Sequence, residues 1–174
     1  DFMTLSKTER ETVDNPIKIA EKAGFKDLNT VSELKAGDKV YFNNRGKSLF
    51  LFVVGKEDLA KGLNILGAHV DSPRLDLKQH PLYEDSGLVL LDTHYYGGIK
   101  KYQWVAQPLA LHGVVCKKDG SLVKVVIGES DDDPVVGVSD LLIHLAADQM
   151  KKTGSNVVEG EDLNVLFGSI PATT

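Results

Sequence analysis

The sequence predicts an α/β fold built from two parts of different character. Three observations support this class. Apolar residues recur at helical spacing near the N-terminus, an almost continuous apolar run ends in GAHVDSPR (residues 67–74), and short strand-like segments follow Pro73. The change of pattern predicts two domains, a helix-and-sheet domain over residues 1–76 and a β-rich domain over residues 77–174.

The first predicted element is a helix within SKTERETVDNPIKIAEKAGF, where apolar residues share one helical face. Ser6 followed by Glu9 predicts a capping box at its start. Gly24 is expected just past its end, because glycine readily adopts the left-handed conformation that terminates many helices. Pro16 lies inside the pattern and predicts a bend, or a division into two pieces, near Asn15.

Strand patterns follow this helix. KVYF and SLFLFVVG are separated by the polar, glycine-containing segment NNRGK, which predicts a β-hairpin. The next segment, LNILGAHVD, is apolar almost throughout and ends in polar groups. Such a run predicts a strand buried on both faces, in a parallel or mixed sheet that is covered by helices.

Short strands broken by turn residues dominate the second half of the sequence. GLVLLDTHYYGG, LALHGVVCKK and LVKVVIG are predicted strands, and Asp119-Gly120 predicts a hairpin turn between the last two. SDLLIHLAADQMKK predicts a helix that begins at Ser139 and ends before Gly154. LNVLFGSIP is expected to form one more strand. We therefore expect a small barrel or curled sheet with one helix.

The composition of the 174-residue chain limits its partners. The net charge is -5 and no Lys/Arg cluster is present, which argues against a nucleic-acid or anionic-membrane partner. The longest apolar run, LFLFVV, is far shorter than the roughly 20 residues that cross a bilayer. The single cysteine, Cys116, fits a reducing compartment, so we expect a cytoplasmic protein.

His69 and Asp71 are candidate functional residues because they lie two positions apart at the end of a predicted strand. Side chains at this spacing point to the same side of a strand, and the loops after strand ends often line ligand sites. One ring nitrogen of a histidine can bind a metal ion while the other donates to a carboxylate, which fixes the tautomer. The spacing alone favours a structural pair, with a metal site as the alternative.

His144 is a further candidate, on the predicted helix of the second half. Asp140, His144 and Asp148 recur every four residues and would form one helical stripe. The residues alone favour a polar surface stripe.

Five segments, taken in order, resemble the M18 family of zinc aminopeptidases, the group of aspartyl aminopeptidase and aminopeptidase I. They are LGAHVDSPRLDLK, THYYGGIKKYQW, PLALHGVV, DLLIHLAADQ and LNVLFGSIP. The resemblance implies that the chain is part of an α/β/α proteolytic domain interrupted by an inserted β-rich dimerisation domain. It also implies peptide substrates and self-association into dimers, with dodecamers as the larger assembly.

The resemblance gives roles to the candidate residues. His69 matches the first metal-ligand histidine of a centre with two zinc ions, and Asp71 matches the catalytic-site aspartate that orients this histidine. His144 matches a substrate-binding histidine that reaches the active site of a neighbouring subunit. The implied reaction is hydrolysis, in which zinc polarises the scissile carbonyl and activates a water while a glutamate transfers the proton.

The sequence departs from the M18 pattern in the remaining ligands. The family's bridging aspartate, adjacent glutamates, further aspartate and late histidine follow the inserted domain, and this sequence contains no Glu-Glu pair. We therefore expect an N-terminal fragment that is inactive by itself. A non-catalytic oligomerisation or binding module and a related two-metal deacylase are the alternatives.

Overall fold

Two units with separate sheets make up the chain in the computed structural model, which describes residues 1–170. The first unit is residues 1–72 and the second begins at Pro73, close to the boundary expected at residue 76. Both α-helices lie in the first unit, and strands occur in both, so the fold is mixed α/β. Within the described residues, no helix combines the length and the apolar character needed to cross a membrane.

The first unit packs one long helix on a three-stranded sheet. The sheet order is β1-β2-β3, with β1 parallel to β2 and β2 antiparallel to β3. The predicted hairpin is confirmed, since β2 and β3 pair from Lys39 with Val53 to Asn44 with Ser48. The elements are α1 (Phe2–Leu5), α2 (Glu9–Lys22), β1 (Lys26–Asp27), β2 (Lys39–Asn44) and β3 (Ser48–Val53).

Helix α2 begins two residues later than the sequence predicted. The capping box is formed by Thr8 and Glu11, not by Ser6 and Glu9. The Glu11 carboxylate accepts from the backbone N–H of Thr8 at 3.1 Å, and the Glu11 N–H donates to Thr8 Oγ1 at 3.4 Å. Ser6 is buried and accepts a hydrogen bond from the Asn15 side chain, so its hydroxyl serves a tertiary contact instead.

Pro16 does not divide α2, which continues from Glu9 to Lys22. The prediction of two pieces is therefore wrong. Val13 and Ala20 are buried on either side of the proline, and their packing holds both halves of the helix in place. The predicted end is confirmed, because Gly24 has a φ of +86° and donates its N–H to the Glu21 carbonyl.

Tyr41 on β2 connects the sheet to α2 through a hydrogen bond whose strength depends on pH. Its hydroxyl donates to Glu21 Oε1 at 2.9 Å, and this hydrogen bond, with burial, raises the pKa of the phenol above 10.0. The pKa of this phenol is higher in the folded state than in the unfolded state. The contact therefore stabilises the fold at pH values below the ordinary phenol pKa, and this stabilisation is lost as the pH rises through the pKa of the folded state.

We expect Tyr41→Phe to lower the free energy of unfolding at pH 7 by about 1 kcal/mol, because one hydrogen bond is removed. The variant should also lose less stability than the wild type between neutral pH and pH values above 10.0. Thermal unfolding followed by circular dichroism across this range measures both effects. Tyr102→Phe, at an exposed site, is the control; equal alkaline destabilisation of wild type and Tyr41→Phe would contradict the prediction.

The second unit contains a five-stranded antiparallel sheet in the order β4-β5-β10-β9-β6, and a separate two-stranded ribbon of β7 and β8. The four strands predicted in this half of the sequence are confirmed: GLVLLDTHYYGG contains β5, LALHGVVCKK contains β7, LVKVVIG contains β8 and LNVLFGSIP contains β10. The strands are β4 (Arg74–Asp85), β5 (Leu88–Tyr96), β6 (Pro108–Leu109), β7 (Leu111–Cys116), β8 (Leu122–Ile127), β9 (Val136–Gly137) and β10 (Val165–Gly168).

Buried aliphatic residues hold the second unit together. Its core brings side chains of β5, β9 and β10 together with three residues from the long connection between β9 and β10. Trp104 packs against this core from outside and is the single tryptophan of the chain. The buried core residues are Leu91, Val136, Val138, Val158, Leu163 and Val165.

Gly137 on β9 lies so close to the backbone of Gln107 that a side chain would not fit there. A Cβ at this position would lie 2.8 Å from the carbonyl oxygen of Gln107, which is backbone and cannot rotate away. We expect Gly137→Ala to cost about 1–3 kcal/mol, because β6 and β9 must shift. Urea unfolding followed by Trp104 fluorescence measures this. Gly113→Ala on β7, where a Cβ meets nothing within 4 Å, should be neutral or slightly stabilising; similar losses for both variants would refute the steric argument.

The predicted strand LNILGAHVD is absent, and residues 63–71 have no regular secondary structure. The prediction is wrong for this chain. A strand exists through hydrogen bonds to a neighbouring strand, and within the described residues no strand lies beside this segment. Leu63, Ile65 and Leu66 consequently stay exposed.

The predicted helix from Ser139 is also absent. The segment forms a turn around residues 143–145 and a short 3-10 helix, Gln149–Lys151. The Asp140 carboxylate accepts from the Leu141 N–H at 2.8 Å and from the Gln149 side chain at 2.9 Å, which competes with helical hydrogen bonding. The segment also lacks a buried apolar stripe, since Ala146 is its one buried residue.

Candidate functional site

The His69–Asp71 contact is present in the structure, although the strand expected to create it is not. His69 Nδ1 lies 2.9 Å from the backbone carbonyl oxygen of Asp71 and 3.2 Å from its Oδ1. The histidine side chain is 83% exposed and the aspartate side chain 38% exposed. The two residues therefore form a local, solvent-facing pair at the end of the first unit.

The geometry of this pair fixes the histidine tautomer. Both atoms near Nδ1 are acceptor oxygens, so Nδ1 must carry the proton for either contact to be a hydrogen bond. In the neutral ring Nε2 is then the nitrogen with the lone pair, and no hydrogen bond from a described residue reaches it. This is the state in which a histidine binds a metal ion, with a carboxylate on its second nitrogen.

His69 is a single ligand and not a complete metal site. Among residues 1–170, no group of three or more His, Cys, Asp or Glu side chains could hold a metal ion. A catalytic zinc ion is held by roughly three protein ligands and one water. The described part of the chain therefore supplies one candidate zinc ligand and not a complete set.

His144 is exposed and belongs to the second unit. The expected polar stripe does not form, because Asp140 bonds Gln149 while Asp148 pairs with Lys151 at 2.8 Å. Its neighbours are apolar and are also exposed, namely Leu141, Leu142, Ile143 and Leu145. His144 thus lies at the centre of an exposed apolar segment.

Two clefts among the described residues contain none of the predicted site residues. An open cleft of about 710 Å³ over β6, β9 and β10 is lined mainly by apolar and small residues, with Gln107 among them, and by no titratable side chain. A second cleft, of about 600 Å³, lies beside β2 and is lined by charged residues that include Lys35 and Asp38. The first cannot supply acid–base chemistry, and the second contains neither His69 nor Asp71.

Two carboxylates with lowered pKa values, Asp119 and Asp133, belong to turns. Hydrogen bonds from Ser121 lower the pKa of Asp119 in the β7–β8 hairpin. The backbone N–H of Ser130, followed by that of Gly128, lowers the pKa of Asp133, which closes the acidic loop after β8. These shifts have a structural cause, so they do not indicate a second active site.

Arg74 is a positively charged residue whose side chain is held by its neighbours, and it is not among the candidate residues predicted from the sequence. Its Nε donates to Asp76 Oδ1 at 2.7 Å, and its guanidinium lies 4.1 Å from the ring centroid of Tyr96. The Arg-x-Asp spacing on β4 could have revealed the ion pair, because residues two apart share a strand face. The stacking depends on the β4–β5 register, which places Tyr96 opposite Arg74.

Comparison with protein families identifies the chain. The family model described as "Aminopeptidase I zinc metalloprotease (M18)" matches residues 2–170. The chain belongs to the M18 family. This membership supports a zinc-dependent aminopeptidase class and does not favour the deacylase or the non-catalytic module.

M18 relatives match this chain over nearly its whole length. It is 61% identical to a probable M18 family aminopeptidase 1 of Clostridium acetobutylicum and 44% identical to one of Thermotoga maritima, with 98% of the chain covered in each. The crystal structure of an M18 aminopeptidase of Thermotoga maritima matches 99% of the chain with a TM-score of 0.90. The chain spans 38% of the length of the Clostridium relative and 38% of the Thermotoga structure.

Proposed function

We propose that the chain is the N-terminal part of a metallo-aminopeptidase that releases N-terminal amino acids from peptides by two-zinc hydrolysis. The observation that carries the proposal is the His69–Asp71 contact, which leaves Nε2 of His69 free for a metal ion. Membership in a zinc metalloprotease family supplies the metal and the reaction class.

In this proposal, His69 binds one zinc ion through Nε2, and Asp71 holds the ring in that orientation through Nδ1. The hydrogen bond to Asp71 also raises the basicity of the ligand nitrogen. When bound, zinc polarises the scissile carbonyl and lowers the pKa of an attacking water. The described residues offer no further ligands, so the isolated chain should bind zinc weakly and should not hydrolyse peptides.

We further propose that the second unit is the β-rich dimerisation domain and that His144 binds substrate in a neighbouring subunit. The exposed apolar residues beside His144 support an interface, because such patches are rare on surfaces that remain in water. The expected assembly is a homodimer, with a dodecamer as the larger form. A cytoplasmic location stays a proposal, which cell fractionation tests.

The decisive experiment compares the isolated chain with a chimera. In the chimera, this chain replaces the matched 38% of the Clostridium acetobutylicum relative. Zinc content by mass spectrometry and hydrolysis of aminoacyl-p-nitroanilides are measured on both. We expect zinc-dependent hydrolysis by the chimera and none by the isolated chain. A zinc-loaded, folded chimera without activity would refute the proposed enzyme function, and activity of the isolated chain would refute its expected inactivity.

A further inference from the structure

The turn between β7 and β8 contains a peptide bond that is chemically prone to rearrange. Asp119-Gly120 is the single Asp-Gly pair of the sequence, and the sequence contains no Asn-Gly pair. In such a pair the backbone nitrogen of the glycine can attack the side-chain carboxyl carbon of the aspartate, because glycine has no side chain to obstruct the approach. Both residues are exposed, so water reaches the turn.

The rearrangement is a condensation followed by a hydrolysis. The carboxylic acid of Asp119 and the N–H of Gly120 would form a cyclic succinimide, in which the nitrogen is bonded to the side-chain carbon and a water molecule has left. Solvent water then opens the ring. Opening at the side-chain carbonyl restores aspartate, while opening at the main-chain carbonyl leaves isoaspartate, which lengthens the backbone at the turn by the side-chain CH₂ group.

Ser121 holds the carboxylate that would have to react. Asp119 Oδ1 accepts from the Ser121 backbone N–H at 2.9 Å and from the Ser121 hydroxyl at 2.6 Å. These hydrogen bonds stabilise the ionised carboxylate and lower the pKa of Asp119. The ionised form is the unreactive one, because a carboxylate would have to expel an oxide ion where the neutral acid releases water.

The attacking nitrogen is held as well. The Gly120 N–H donates to the Lys117 carbonyl at 3.0 Å, and the Lys117 N–H donates to the Ser121 carbonyl at 2.9 Å. Gly120 has a φ of +83°, a conformation that glycine adopts at low cost. The nitrogen and the carboxylate therefore belong to separate hydrogen bonds, and both must be broken before the succinimide ring can close.

We propose that Asp119-Gly120 is a latent site of isoaspartate formation and that Ser121 protects it by holding the Asp119 carboxylate. The co-reactant is water, and the product is a lengthened backbone at the end of the β7–β8 ribbon. Because turn geometry sets the register of a hairpin, this product would disturb the pairing of Cys116 with Leu122 beside the turn. None of these residues belongs to the proposed aminopeptidase site, so the two proposals are tested separately.

Ageing of the folded chain near neutral pH measures the protection. Isoaspartate at residue 119 is quantified over time by digestion and electron-transfer mass spectrometry, for the wild type, for Ser121→Ala and for synthetic peptides of residues 116–122 with either side chain. We expect Ser121→Ala to raise the rate in the folded chain about 5-fold, because a hydrogen bond of about 1 kcal/mol is lost. The same change should have little effect in the peptides, which should both react faster than the folded wild type.

Two further variants separate this protection from general destabilisation. Ser121→Thr keeps both donors and should form isoaspartate at the rate of the wild type. Ser86→Ala removes the comparable hydroxyl at the β4–β5 turn, where Ser86 donates to Asp85 Oδ1 at 3.2 Å. It should leave isoaspartate at residue 119 unchanged. Hydrogen exchange of the Gly120 amide in each variant shows whether the β7–β8 turn is kept.

Three results would overturn the role of Ser121. Equal rates in the folded wild type and in Ser121→Ala would show that its contacts do not protect the site. A folded wild type that reacts as fast as its peptide would show that the turn gives no protection. A faster Ser121→Ala in which the Gly120 amide has also lost its protection would assign the effect to the turn as a whole. Each result leaves the proposed enzyme function standing.

Discussion

His69→Ala in the chimera is expected to lower kcat/KM for aminoacyl-p-nitroanilides by more than about 100-fold and to remove zinc from one position. Alanine offers no lone pair, and a zinc centre with an open position for water has no ligand to spare. The effect should exceed that of Asp71→Ala, which keeps the histidine ligand and removes the carboxylate contact at 3.2 Å. Loss of such a partner typically costs about 10- to 100-fold.

His80→Ala provides the control for these two variants, since His80 is an exposed histidine on β4 without a predicted role. It should retain full activity and zinc content. Circular dichroism of each chimera distinguishes loss of a ligand from loss of folding. A His69→Ala chimera with two bound zinc ions and normal activity would show that this residue is not a metal ligand.

The parts of the fold that sequence predicted correctly depend on neighbouring residues. The β2–β3 hairpin is specified by NNRGK and by the apolar segments on each side of it. Gly24 ends α2 because glycine adopts positive φ at low cost. The Asp119-Gly120 turn forms for the same reason, with Gly120 at a φ of +83°.

The start of α2 shows where local rules stop being sufficient. Two overlapping capping boxes fit the sequence, one from Ser6 to Glu9 and one from Thr8 to Glu11. The second forms because the Ser6 hydroxyl is buried and used by Asn15. That contact spans nine positions of sequence and could not be inferred from spacing.

The two elements that failed to form depend on partners outside the segment. An apolar pattern indicates that the side chains prefer to be buried, but it does not identify the residues that would bury them. LNILGAHVD has strand character, but among residues 1–170 no strand lies beside it, and the segment from Ser139 lacks a buried stripe to hold a helix. The His69–Asp71 contact was predictable because it is local. A complete zinc site could not be predicted, because the described residues hold no group of three or more His, Cys, Asp or Glu that could bind a metal ion.

Leu163→Ala should be the most destabilising single change in the second unit, at about 2–5 kcal/mol. Leu163 is 0% exposed and lies in the core with Leu91, Val136 and Val165. Its backbone carbonyl also accepts from the buried Thr93 hydroxyl at 2.5 Å, which restricts relaxation around the cavity that alanine would leave. Urea unfolding followed by Trp104 fluorescence measures the loss, because Trp104 packs against the same core.

Leu122→Ala is the matched control for this cavity, since Leu122 is the same residue type at 59% exposure on the β7–β8 ribbon. It should change the free energy of unfolding by less than about 0.5 kcal/mol, as surface substitutions usually do. The difference between the two changes in unfolding free energy measures how much more a buried leucine side chain stabilises the unit than an exposed one does. Equal effects would mean that Leu163 is not in a cooperative core, and that the second unit is held by its strand pairing alone.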